Sequence, residues 1–253
     1  MTNTDRLQEL YMQSSKHSQY QILAEPLRPH LDSAKLEVVS RYEAERLAYM
    51  ERHVSWSGRT VMDVGGNTGY FTLESLARGA TSATYFEGNQ GHSSFVKEAG
   101  SVLGWSDRLQ VHPSYLEFDD DLGSIQIDVC LLLNVLHHVG DDYGDASLSI
   151  EAAKKQILRS VNRMASHCSQ LIFQLGFNWK GNPDLPLFES GTKAEQIDFI
   201  RSGTQDRWTI ERVGIAEGER SQAVYRDLSD ENIKRRDELG EFLNRPLFIM
   251  HSK

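Results

Sequence analysis

The sequence predicts an α/β fold: a seven-stranded, mostly parallel sheet with helices on both faces, the last strand antiparallel, behind an N-terminal helical extension. Three observations predict it. From residue 60 onward, short apolar runs alternate with segments of helical period, which implies crossover connections between parallel strands. A dense glycine turn, GGNTG at 65–69, closes the first of those runs. No clear apolar helical segment separates the last two runs.

Residues 1–55 read as helical, with candidate segments RLQELYMQ (6–13) and AKLEVVSRYEAERLAYMERHV (34–54). The second spaces Leu36, Val39, Tyr42, Leu47 and Met50 three to five residues apart. Between them EPLRPHL (25–31) carries two prolines and reads as a turn. Next come a strand at TVMDV (60–64), a helix over 69–80 with an apolar stripe of Phe71, Leu73, Leu76 and Ala77, and a strand at SATYFEG (82–88). A helix at 92–105 precedes strands at RLQVHPS (108–114) and QIDVCLLLNV (126–135). A helix at 150–166, a strand at SQLIFQLGF (169–177), a helix at 193–203 and strands at 208–217 and 245–253 complete the series. The expected organisation is an extension at 1–55 and a domain at 56–253, with an insert at 176–191 and a charged segment at 217–244 that reads as a solvated helix or a lid.

The chain has 253 residues and a formal net charge of −9. Nucleic-acid binding depends on a positive field, so the charge balance disfavours it. Two cysteines, Cys130 and Cys168, without a CxxC pair leave no basis for a disulfide framework or a four-thiolate zinc site. No signal peptide or membrane span is legible, and the expected location is the cytoplasm.

The turn at 65–69 lies where a parallel sheet binds ligands, beyond the carboxyl end of a strand. Gly65, Gly66 and Gly69 let the backbone bend and approach a ligand, and Asn67 tolerates a positive φ. The spacing is neither GK[ST] nor GxGxxG, so triphosphate and dinucleotide motifs are absent. Asp63 stands near the end of the first strand and Glu87 ends the second, where a carboxylate can accept two ribose hydroxyls.

VMDVGGNTG (61–69), ATYFEGN (83–89), LQVHPSY (109–115) and DVCLLLNVLHHV (128–139) together resemble the class I S-adenosylmethionine-dependent methyltransferases. The resemblance implies a Rossmann-like domain with S-adenosyl-L-methionine as cofactor. It implies that Gly65, Gly66, Asn67 and Gly69 wrap the amino-acid end of the cofactor and that Asp63 holds the loop or the methionine ammonium. Glu87, beside Gly88, would take the ribose; Ser114 and Tyr115 would lie near the adenine; Asn134 would line the methionine side. Two positions depart from the family pattern: Asn67 stands where glycine is usual, and Ser114 where an acid often reads the adenine amine.

His137 and His138 follow the fourth strand and are the candidate bases for methyl transfer to a hydroxyl. Adjacent histidines usually point apart and no HExxH spacing exists, so no metal is expected. NVLHHV (134–139) and NRPLFIMHSK (244–253) resemble methyltransferase domains of bacterial surface-polysaccharide synthesis, including those that cap O-antigen chains. That implies a glycan or small-molecule acceptor. Acceptor contacts are expected from 14–21, from Trp179 and Phe188 as a stacking platform, or from Arg226, Lys234, Arg235, Arg236 and Arg245. Two other readings stay open: a transfer-RNA-modifying enzyme, from LAEPLRPHL (23–31), and a cofactor-binding assembly partner without turnover.

Overall fold

The computed structural model describes residues 3–12, 20–31, 36, 38–118 and 122–253. The chain forms two compact units, Met1–Leu116 and Glu117–Lys253.

The first unit begins with α1 (Asn3–Met12) and, after a 3-10 turn at Glu25–His30, α2 (Glu43–Met50). It continues with β1 (Thr60–Val64), α3 (Tyr70–Ala77), β2 (Ser82–Phe86), α4 (Gln90–Val102) and β3 (Leu109–His112). The strands pair in parallel in the order β3-β2-β1, with Asp63 opposite Tyr85 and Val64 opposite Phe86. Helix α1 packs on α4, where the Tyr11 ring meets Phe95 edge-on at 5.3 Å. The helix expected over 34–54 is shorter than its apolar spacing suggests; residues 34, 35 and 37 lie outside the described ones. Tyr42 takes a left-handed φ of 59°, and the Glu43 carboxylate accepts from the Arg41 N–H and the Ser40 hydroxyl. Those local bonds compete with a continuous ladder, so α2 starts only at Glu43.

The second unit holds β4 (Ile127–Leu133), α5 (Ile150–Met164), β5 (Cys168–Gln174), α6 (Lys193–Thr204), β6 (Trp208–Glu217), β7 (Val224–Asp227), α7 (Gly240–Leu243) and β8 (Leu247–Ser252). Its strand order is β4-β5-β8-β6-β7; β4 and β5 are parallel, and β8 runs antiparallel between β5 and β6. The mostly parallel sheet with an antiparallel last strand is therefore as expected, but among the described residues the strands number eight. The extra one, β7, pairs antiparallel with β6 inside the stretch expected to be a helix or lid. It is four residues long and only Tyr225 is buried, so it carries no apolar run to read. Both cysteines are buried free thiols. Among the described residues no helix is long and apolar enough to cross a membrane.

Candidate functional site

In the first unit the strand β1 delivers the chain into the turn 65–69. Gly65, Asn67 and Gly69 adopt φ values of 66°, 53° and 74°. Alternating left-handed residues coil the backbone tightly. Asparagine is the non-glycine residue that tolerates this region best, which accounts for Asn67 in a glycine position. Gly66 and Gly69 are needed for space. A Cβ on Gly66 would stand 2.6 Å from the Tyr85 ring and 2.7 Å from Asp63 Oδ2; one on Gly69 would stand 2.6 Å from Val96.

Asp63 is buried and accepts a 2.6 Å hydrogen bond from Thr72 Oγ1, tying β1 to the first turn of α3. Burial, aided by the nearby Glu87 charge and opposed by the Thr72 hydrogen bond, raises its carboxyl to about 6. This carboxylate secures the loop from below. Tyr85, buried from β2, donates its hydroxyl to the Asn67 carbonyl.

Glu87 is half-buried beside the loop. One of its oxygens accepts from Asn67 N at 2.9 Å and the other from Asn89 N at 2.8 Å. These two bonds orient the carboxylate beside the loop. Gly88 follows because the Tyr115 ring lies on it: a Cβ there would stand 2.2 Å from the ring. Tyr115 is 45% exposed, among the few large apolar side chains exposed in the described residues. Ser114 is exposed next to it.

One contributor to the loop was not legible as such. Gln21 Oε1 accepts from Thr68 Oγ1 at 3.2 Å and from Tyr70 N at 3.1 Å. It belongs to the stretch 14–21 assigned to acceptor contacts, of which residues 14–19 lie outside the described ones. Its pairing spans 47 and 49 residues, and no local pattern signals it.

In the second unit Asn134, with φ 61°, donates Nδ2–H to Gln174 Oε1 at 2.9 Å and accepts from Arg245 at 2.7 Å. Arg245 is in turn clamped by Glu241. Neither partner is close in sequence, so this network too was missed. His137 is buried, and its Nδ1 accepts from Gly176 N at 3.3 Å. A side chain at 176 would strike the ring at 2.7 Å, so His137 is packed into the β5 end. His138 is half-exposed, with Nδ1 3.4 Å from Asp142 and 3.9 Å from Asp141. The two imidazoles do not point apart. A 3-10 turn at Leu136–His138 brings their centroids within 4.3 Å. His138, Asp141 and Asp142 place one nitrogen and two oxygen donors within 4.8 Å of one another.

The expected aromatic platform is differently used. Trp179 is buried and donates Nε1–H to the Val139 carbonyl at 2.6 Å, while Phe188 is buried between Phe177 and Phe199. Four of the five basic residues are paired: Arg226 with Glu217, Arg235 with Asp237, Arg236 with Glu238 and Arg245 with Glu241. The exposed pairs among them suit a solvated surface.

No family model matches the chain. No curated protein sequence matches it. Among solved structures it is similar to the crystal structure of WbdD, with 14% identity and a TM-score of 0.58, over 97% of this chain and 46% of that one. It thus spans less than half of WbdD. A Streptococcus thermophilus protein described as a candidate hemolysin gives a TM-score of 0.54 at 12% identity, over 87% of this chain and 68% of that one. A candidate RNA methyltransferase from Pyrococcus horikoshii gives 0.48 at 12% identity, over 96% and 97%. At such identities the WbdD and Streptococcus likenesses describe a shared fold.

Proposed function

We propose that the chain is an S-adenosylmethionine-dependent O-methyltransferase whose acceptor is a hydroxyl of a sugar or sugar phosphate, within surface-polysaccharide synthesis. The observation that carries the reading is the Glu87 carboxylate, held at both oxygens by Asn67 N and Asn89 N against a loop of three left-handed residues. A fixed acceptor beside a closely wound backbone suits a nucleoside with vicinal hydroxyls. The partly exposed Tyr115 ring beside Gly88 suits a planar base. When bound, the cofactor supplies an activated methyl on a sulfonium. The chain then has to hold donor and acceptor in line and remove the hydroxyl proton. His138 is the residue proposed for the proton, oriented by Asp142; His137, engaged with Gly176, keeps a packing role.

Calorimetry with S-adenosylhomocysteine tests the cofactor: the parent chain binds it, and Glu87→Ala binds it far more weakly. A parent chain that does not bind rejects the reading. Transfer of labelled methyl to nucleotide sugars or glycans, run beside transfer RNA, tests the acceptor. A steep fall of RNA affinity with salt, accompanied by methylation of RNA, would favour the transfer-RNA reading. Tight binding without turnover on any acceptor would favour an assembly partner.

A further inference from the structure

A closed set of polar contacts joins the carboxyl ends of β4 and β5 to the lead-in of β8. Asn134, the first residue after β4, donates Nδ2–H to Gln174, the last residue of β5, at 2.9 Å. Gln174 donates Nε2–H to the Arg245 carbonyl at 3.1 Å, and the Arg245 guanidinium returns to Asn134 Oδ1 at 2.7 Å. Glu241, on α7, holds that guanidinium from the other side. Its Oε1 accepts from Arg245 Nε at 3.0 Å and from Phe177 N at 2.9 Å. Gln174 is buried, and Asn134, Glu241 and Arg245 are half-buried, so water competes weakly for these bonds.

Both ends of the Asn134 carboxamide are thus engaged, the oxygen by a cation. Asn134 itself is left-handed, with φ 61°, a conformation that persists outside glycine where surrounding contacts impose it. The turn that follows, Leu136–His138, carries both imidazoles. The next contact lies across the site. Gly176 N donates to His137 Nδ1, and its neighbour Phe177 N donates to Glu241. The pair that locks the start of the turn therefore also anchors the segment on which His137 is seated. His138 packs on His137, ring to ring, at 4.3 Å. With its charge met by Glu241, the guanidinium suits holding this turn better than receiving an anion.

We propose that Arg245, held by Glu241, is a positioning residue for methyl transfer: it fixes the left-handed turn at Asn134 and thereby the direction in which His138 faces the acceptor. The inference rests on the reading of His138 as the base.

The test is a double-mutant cycle on the full chain. Turnover is read as labelled methyl passed to nucleotide sugars, and cofactor affinity by calorimetry with S-adenosylhomocysteine. Arg245→Met is expected to lower kcat about tenfold to a hundredfold, as for a misplaced catalytic group, and to leave that affinity within about threefold. Added to His138→Gln, it is expected to cost nothing more, because a residue acting through His138 then has nothing left to position. Losses that multiply would make Arg245 a structural support and overturn the inference, as would an affinity loss as large as the loss of turnover. Asn134→Gly keeps the test decisive if Arg245→Met does not fold. Glycine takes φ 61° without strain but releases the ring of contacts, so the same loss and the same non-additivity are expected. Full turnover in Asn134→Gly would overturn the inference. A parent chain that transfers no methyl would instead overturn the proposed function, and this inference with it.

Discussion

The loops after β1 and after β4 answer the same topological need in opposite ways. Both leave the carboxyl end of a strand that pairs in parallel and lead to a helix. The first takes five residues, 65–69, and works with its main chain. Its side chains are small, its φ values alternate to positive, and the polar groups that define it come from Asp63, Tyr85, Glu87 and Gln21 outside it. The second takes sixteen residues, 134–149, and works with side chains. Asn134, His137 and His138 each engage partners from the loop itself or from the end of β5 and beyond. A short turn leaves no room for side chains and so presents amides. A long one can fold back and carry imidazole and carboxylate groups.

Substitutions that split the two loops should separate binding from turnover. The largest effect is expected from Gly66→Ala. Its Cβ meets the Tyr85 ring and the Asp63 carboxylate, so the turn must shift; stability should fall by about 3 kcal/mol and S-adenosylhomocysteine binding should vanish. Thermal melts and calorimetry would show both, and a variant that binds normally would break the contrast drawn here. Glu87→Ala should weaken binding about a hundredfold while sparing most of the stability, through loss of hydrogen bonds to a charged group. His138→Gln should do the reverse, lowering turnover about a hundredfold with cofactor affinity unchanged. His137→Gln should act on the melting temperature and not on that ratio.

Asp63→Asn sharpens the first loop further. The folded chain holds the Asp63 proton more tightly than the unfolded chain, with the carboxyl raised to about 6. Its contribution to stability is therefore complete below about pH 4 and lost as pH rises through 6. The asparagine variant should gain on the parent by roughly 2 kcal/mol between those limits, read from denaturant midpoints at each pH. A pH-independent difference would mean that the carboxyl is not perturbed. Asn67→Gly should change least, below about 1 kcal/mol, because relief of a left-handed φ offsets loss of the 2.7 Å bond from Thr68 N to Asn67 Oδ1.

The same contrast explains what the sequence disclosed. Glycine spacing reports backbone conformation directly, and apolar runs report buried strands, so the turn at 65–69 and seven strands were legible. Which of two adjacent histidines is buried depends on Gly176, thirty-nine residues away, and no local pattern carries that. Likewise Trp179 has the composition of a sugar platform, but its indole is spent on the Val139 carbonyl. Gln21 was read with the acceptor segment 14–21, because its loop partners lie 47 and 49 residues away. The short strand β7 was lost among charges since only Tyr225 faces inward.

The position of β8 carries a consequence for biosynthesis. It follows β6 and β7 in sequence yet lies between β5 and β6. While the polypeptide is being made, β5 and the β6–β7 hairpin must therefore wait with open edges until residues 247–252 leave the ribosome. A nascent chain stalled before that point exposes two unpaired strand margins at once, the arrangement most open to mispairing with another chain.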